Sequence, residues 1–262
     1  MGILNVTPDS FSDGGAFSDP GRAVERALEM VSQGAGIIDI GGESTRPGAD
    51  PVSAEEEICR TIPVIKELRK QSDTFISIDT MKAEVAQAAL DAGADIINDV
   101  SAFEAEGKMV EVAARTGAGA VLMHMKGTPK TMQLQPVYGH VAGEVVAYLE
   151  SRCAFAVENG VDPACIAIDP GIGFGKTPEH NLALLRNIPA LAETGYPVLI
   201  GASRKSLIGH LLERTDPSQR IAGGLGIAAW SAMLGAHILR VHDVIDTCDA
   251  CRIVDTLLRG DP

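Results

Sequence analysis

What the chain lacks narrows its function first. It carries 22 Lys and Arg against 35 Asp and Glu, a net charge of −13, so it offers no basic surface to neutralise nucleic-acid phosphates. Its apolar runs fall well short of the roughly 20 residues that cross a bilayer, and no charged-then-apolar leader opens it. A cytoplasmic protein without nucleic-acid or membrane partners is therefore expected. The five cysteines (Cys59, Cys153, Cys165, Cys248 and Cys251) are too scattered for a disulfide framework. Cys248 and Cys251 form a C-x-x-C, but no second Cys or His pair follows at zinc spacing, and both fall in a helical stretch from Val244 to Leu258. H-E-x-x-H, G-x-S-x-G and G-x-G-x-x-G are missing too. Gly171 to Thr177 (GIGFGKT) approaches a P-loop, but only three residues separate its first Gly from Gly-Lys-Thr, one fewer than that loop requires. A loop that brings its backbone close to a flat ligand, with Phe174 packing against it, fits better.

What is present is regular. Short β-branched runs recur at Gly2–Val6, Gly36–Ile40, Phe75–Asp79, Asp95–Asp99, Ala120–His124, Cys165–Asp169, Pro197–Gly201 and His237–His242, as suits parallel strands buried on both faces. Helical periodicity lies between them; Arg22–Gln33 puts Val24, Ala27, Leu28 and Val31 on one stripe. Asp19-Pro20, Thr177-Pro178 and Asp216-Pro217 each offer an N-cap followed by Pro, and Ser53 with Glu56 a capping box. Gly34, Gly93, Gly117, Gly160, Gly195 and Gly235 sit where left-handed C-caps are expected. Eight strands alternating with helices predict an α/β fold, a single-domain (β/α)8 barrel over residues 1–262, with an open doubly wound sheet as the alternative. No linker, repeat or low-complexity tract divides it.

Catalytic groups of such a barrel gather at the C-terminal ends of its strands, and the polar residues fall there: Asn5, Asp39, Asp79, Asn98, Asp99, His124, Asp169, Ser203-Arg204-Lys205, Arg240 and His242. Helix capping is the expected role of Asp39 and Asp99, and a weaker explanation of Asp79 and Asp169. Arg240 and His242, two apart in a strand, share a face and suit an anion site. The plainer alternative is an ion pair between Arg240 and a nearby carboxylate such as Asp243.

Eight blocks then carry a resemblance: NVTPDSFSDGG from Asn5, GGESTRPGA from Gly41, SIDT from Ser77, IND from Ile97, LMHM from Leu122, DPGIGFGK from Asp169, GASRKS from Gly201 and RVHD from Arg240. In their order and spacing they resemble the dihydropteroate synthases of bacterial folate biosynthesis. The family usually has further residues, often a strand, ahead of the first block, whereas this chain begins inside its first strand. The resemblance implies condensation of 6-hydroxymethyl-7,8-dihydropterin diphosphate with 4-aminobenzoate, releasing diphosphate, in a homodimer that sulfonamides target. It implies pterin contacts from Asp79, Asn98, Met123, Asp169, Phe174, Gly201 and Lys205. Diphosphate falls to Asn5, Arg240 and His242, with Asn5 also a ligand of Mg²⁺, and 4-aminobenzoate to Phe11, Thr45, Pro47 and Ser206. Asp13 and Arg46 complete the closed site, and the catalytic set is Asp79, Asp13, Arg46, Lys205, Arg240 and His242. Two rivals share the ring-binding logic: a methyltetrahydrofolate–corrinoid methyltransferase and a pterin-binding paralogue without turnover. The first has no use for a diphosphate site, and the second no use for Asp13, Thr45 and Arg46.

Overall fold

Side chains alternate across a strand, and here the alternation sorts the apolar residues into two layers. The computed structural model describes residues 1–7, 20–44, 50–128, 131–132 and 136–260. Its parallel strands are β1 (Gly2–Asn5), β2 (Ile37–Gly41), β3 (Phe75–Asp79), β4 (Ile96–Asp99), β5 (Gly119–Met123), β6 (Ile166–Asp169), β7 (Leu199–Ile200) and β8 (Ile238–Leu239). One side of them, including Leu4, Ile38, Ile40, Ile76, Ile78, Ile97 and Ile168, is buried in the large cluster shared with the helices. The other carries Val121, Ala167 and Leu199, packed with Met1, Ile96 and Ile238 in a small cluster of their own. The first layer lies outside the sheet and the second fills the barrel's interior. Each fully buried aliphatic side chain contributes roughly 1.5–3 kcal/mol.

The ladder runs β1 to β6 without a break, and β7 pairs with β8. Single bridges, Ile168 with Val198 and Gly2 with Val241, join the two pieces. Ile3 N donates to Val241 O (2.9 Å) and Val241 N to Met1 O (2.9 Å), while the Met1 amino group donates to Leu239 O (3.0 Å). The sheet thus closes on itself, with β1 serving as the strand that meets β8. An open doubly wound sheet is excluded.

The helices follow the predicted signals. They are α1 (Pro20–Ser32), α2 (Ala54–Gln71), α3 (Ala83–Asp91), α4 (Lys108–Thr116), α5 (Val141–Glu158), α6 (Pro178–Arg186), α7 (Ile188–Ala192), α8 (Ser206–Leu212), α9 (Ile221–Met233) and α10 (Val244–Arg259). Ser53 Oγ accepts from Glu56 N (3.2 Å) ahead of α2. Thr177 and His180 exchange caps at α6. Asp216 caps a 3-10 turn, Pro217–Arg220, rather than an α-helix, and Asp19 lies outside the described residues. The six predicted C-cap glycines all have positive φ. In α1 the buried stripe is Ala23, Val24, Ala27 and Met30, with Leu28 and Val31 packed at its flank, one step round from the expected centre.

Candidate active site

Each strand delivers one residue to the mouth of the barrel. Register places Asn5 beside Gly41, Gly41 beside Asp79 and Asp79 beside Asn98, and sets Met123 beside Asp169. Gly201 and Arg240 follow β7 and β8, tied by Arg240 N to Ile200 O (3.0 Å). Register neighbours point the same way, so these residues form one inward ring. Seven of the eight were expected at the site. Gly41, the eighth, lies between Asn5 and Asp79, where an added Cβ would make ordinary contact with Asp79 Cβ at 3.5 Å and its Oδ2 at 3.7 Å.

One step deeper lies Asp39, fully buried. Arg240 donates from Nε to Asp39 Oδ2 (2.6 Å) and from Nη2 to Asp79 Oδ2 (2.6 Å). Asn98 Nδ2 donates to Asp39 (3.2 Å), which turns its amide oxygen away from that carboxylate. Asp39 is therefore no helix cap, contrary to expectation. Its charge is used to hold Arg240 and Asn98. Asp99 does the local work predicted for it, accepting from Ser101 N (2.7 Å) and Phe103 N (3.0 Å). The ion-pair alternative for Arg240 also needs correcting, because Asp243 binds Arg204 instead, through Nε (3.1 Å) and Nη2 (2.5 Å). Arg240 is at once ion-paired and part of the ring. Two of its five N–H groups are used on carboxylates.

These charges sit in little water, and their acidity shifts accordingly. Burial pushes Asp79 up to about 7, Arg240 opposing it and Asp39 adding to it. Its Oδ1 is buried with no hydrogen-bond partner. Burial pulls Arg240 down, but Asp39 and Asp79 override that and its net shift is upward. Three carboxylates (Asp39, Asp79, Asp169) thus face three cations (Lys176, Lys205, Arg240) at one mouth of a strongly acidic chain.

The loop after β6 builds the opposite wall. Gly171 has φ +68°, and a Cβ there would fall 2.0 Å from His124 O, so this backbone approach requires glycine. Gly171 N donates to Asp169 Oδ1 (2.7 Å), fixing that carboxylate. Burial raises the Asp169 pKa, against opposition led by Lys205. Lys205, half-buried just ahead of α8, donates to Ile172 O (2.5 Å). Its Nζ lies 4.6 Å from the centre of the half-buried Phe174 ring. Burial draws its pKa down to about 8 while Asp169 pulls it back. A flat ligand bearing donors on one edge would meet acceptors at Asp169 and Asn98 and a donor at Lys205, with Met123 and Phe174 as apolar walls.

Not every expected residue joins this ring. Regular pairing of β8 ends at Leu239, so His242 stands beyond it, where Ser203 Oγ meets its Nδ1 (3.1 Å) and its N (3.2 Å). Val241 between them is bridged to Gly2, so Arg240 and His242 stand one register step apart in depth, His242 nearer the rim. Ser206 is the exposed first residue of α8. Phe11, Asp13, Thr45, Arg46 and Pro47 lie outside the described residues. The sequence names Asp39 only as a helix cap and assigns no role to Arg204 or Lys176. Arg204 holds a left-handed φ of +57°, a costly state for a non-glycine residue, imposed by its pairing with Asp243 and by Arg220 Nη1 on its carbonyl (2.9 Å). This bend sets Ser203 and Lys205 in place. For a metal, the described residues hold no cluster of three His, Cys, Asp or Glu. Asp79 Oδ1, buried without a hydrogen-bond partner, and the Asn5 amide stand on either side of Gly41 in the strand register.

Comparison with known proteins agrees with this geometry. Residues 1–242 match the family model described as pterin binding enzyme. A dihydropteroate synthase from Synechocystis is 49% identical, over 99% of this chain and 90% of its own length. Two solved Xanthomonas albilineans dihydropteroate synthases superpose over the whole chain and over 93% and 94% of their own. One, with 4-aminobenzoic acid, has a TM-score of 0.93 at 45% identity. The other, in complex with 7,8-dihydropteroate, has a TM-score of 0.90 at 42% identity.

Proposed function

We propose, for a chain that belongs to the dihydropteroate synthases of the pterin-binding enzyme family, that the ring at the barrel mouth holds the dihydropterin and draws diphosphate from it. The observation that carries this is the convergence of Asp169, Asn98 and Lys205 beside Arg240 at one mouth. The family's reaction joins 6-hydroxymethyl-7,8-dihydropterin diphosphate to 4-aminobenzoate. The named relatives favour this over corrinoid methyl transfer or ligand holding without turnover.

The chemistry assigns work to each residue. The attacking aniline nitrogen is neutral and weakly nucleophilic, so a general base adds little and the electrophile must be strengthened. Asp169 and Asn98 accept from the pterin's donor edge, Lys205 donates to its carbonyl side, and Met123, Phe174 and Gly201 shape the slot. Arg240, with His242 at the rim, stabilises negative charge as the C–O bond to diphosphate ionises. Asp79 faces the methylene cation that this leaves, joined by Asp13. Asn5 fits a magnesium ion, because Mg²⁺ commonly takes one or two protein oxygens beside phosphate, and the unpartnered Asp79 Oδ1 lies two strands on, across Gly41. Such an ion, when bound, neutralises charge on the diphosphate oxygens. Arg46, Phe11, Thr45, Pro47 and Ser206 are assigned to 4-aminobenzoate and to excluding water. The test is diphosphate release measured with both substrates and Mg²⁺. Release that needs both substrates supports the reading, and release unaffected by omitting 4-aminobenzoate overturns it.

Asp79 gives the reaction a pH dependence. A carboxyl raised to about 7 loses its proton as pH rises, so the ionised form that pairs Arg240 and faces the cation fades below that point. kcat/KM for the pterin substrate should fall about tenfold per pH unit on the acid side. Asp79→Asn should lower activity and flatten this limb. A limb that survives in the variant belongs to another group.

We also read the enzyme as cytoplasmic and homodimeric. No helix among the described residues is long and apolar enough to cross a membrane. Trp230 and Met233 on α9 and Ile253 and Leu257 on α10 are exposed large apolar residues, a surface suited to a second copy. Sedimentation at the monomer mass would exclude the dimer.

A further inference from the structure

Lys176 ends the GIGFGK segment, yet no substrate contact described above uses it. Its side chain is 3% exposed. Nζ lies 2.9 Å from His124 Nδ1, 3.2 Å from His124 O and 2.9 Å from Phe174 O. An ammonium has three donors, and here it meets three acceptors.

Those acceptors belong to two different walls of the slot. His124 directly follows Met123 at the end of β5, and Phe174 lies on the loop after β6. The same seam is closed by contacts on either side of the lysine. Gly171 presses on His124 O, and a Cβ at Gly175 would fall 2.4 Å from Lys126 O. Tyr138 donates its hydroxyl to Gly175 O (2.8 Å). Burial draws Lys176 down to about 7, with Asp169 opposing that shift and Lys205 adding to it. His124, pushed down to about 3 by burial and by Lys176, stays neutral, so its Nδ1 can accept. A methionine would fill a similar volume without desolvating a charge. What the lysine adds is two bonds across the seam, to His124 Nδ1 and O, and a third to Phe174 O that anchors it in its own loop.

We propose that Lys176 is a positioning residue for the pterin slot: by tying the end of β5 to the loop after β6, it sets the gap between Met123 and Phe174 into which a flat ring enters. The inference rests on reading the Asp169 pocket as the pterin site.

The test compares Lys176→Met with Asp169→Asn, measuring the Kd of dihydropterin diphosphate, both KM values, kcat and Tm. Lys176→Met should weaken pterin binding by about tenfold or more, since misplacing a binding wall by an ångström is costly. The KM for 4-aminobenzoate and kcat at saturation should stay within about threefold, a split that general loosening of the fold would not produce. His124→Phe removes the acceptor ring nitrogen while filling the space, and it should show the same split should Lys176→Met fail to fold. A folded variant of either kind that binds pterin as tightly as the parent overturns the proposal. So does one in which both KM values and kcat move together. If Asp169→Asn also leaves pterin affinity intact, the pocket reading itself falls; if only the Lys176 and His124 variants do, the positioning role alone falls.

Discussion

Replacing Arg240 with alanine should lower kcat by about 10²–10³ while the pterin still binds, because the lost donor acts on charge that develops only as diphosphate leaves. The structure adds a second consequence. Arg240 is the counter-charge for both Asp39 and Asp79 at 2.6 Å, and stripping one partner from a buried pair costs about 3–5 kcal/mol when the other charge stays. Asp79, which burial already raises to about 7, would relieve part of that strain by keeping its proton, so the variant should also lose stability, more as pH rises and that acid is forced to ionise. Arg240→Lys separates the two effects. It restores a charge near Asp39 and Asp79, recovering most of the stability, but a point charge cannot reproduce the fork that reaches two carboxylates and a phosphate together. Its Tm should approach the parent's while kcat remains depressed. Steady-state kinetics and thermal melts at two pH values check both claims. Wild-type kcat in either variant would remove Arg240 from the leaving-group role.

Much of the fold could be read in advance because it rests on local rules. β-branched runs mark the strands, and glycines at Gly34, Gly93, Gly117, Gly160, Gly195 and Gly235 end their helices in the left-handed region that only they enter cheaply. The ends of β7 and β8 were harder. Both runs were read as longer than the two paired residues each shows, because Val198 and Val241 make single bridges where the barrel closes, and closure depends on strands far away in sequence. The site divides the same way. Strand-end position was enough to nominate Asp79, Asn98, Asp169 and Arg240. It was not enough to tell the roles of Asp39 and Asp99 apart, since an aspartate at a strand end caps or pairs according to what faces it. Asp99 finds its partners two and four residues on, whereas Asp39 finds Arg240 across 201 residues. Lys176 was hidden for a related reason. In sequence it read as part of a P-loop that failed, and only the approach of β5 shows why a lysine stands there.

The sharpest contrast to Arg240 is Asp169→Asn, for which the expected loss is in binding. The asparagine keeps the shape and can still accept from Gly171 N through one oxygen, the bond that measures 2.7 Å in the parent. Its nitrogen, however, is a donor where the pterin's edge also donates. A charge-assisted acceptor is lost and two donors face each other, together about 2–4 kcal/mol, or about 30- to 1000-fold in pterin affinity. Because burial already disfavours the charged form of Asp169, the neutral amide removes a desolvation cost, and Tm should hold or rise. Stability and affinity would then move in opposite directions, which damage to the fold cannot produce. The kinetic signature is likewise opposite to that of Arg240: the KM for dihydropterin diphosphate should climb while kcat at saturation changes far less, since a ring held by Asn98 and Lys205 still presents its diphosphate to Arg240. Calorimetric titration of the pterin into the variant, beside a melt, decides the matter. An affinity within about threefold of the parent's would mean that the ring edge is read by some other group.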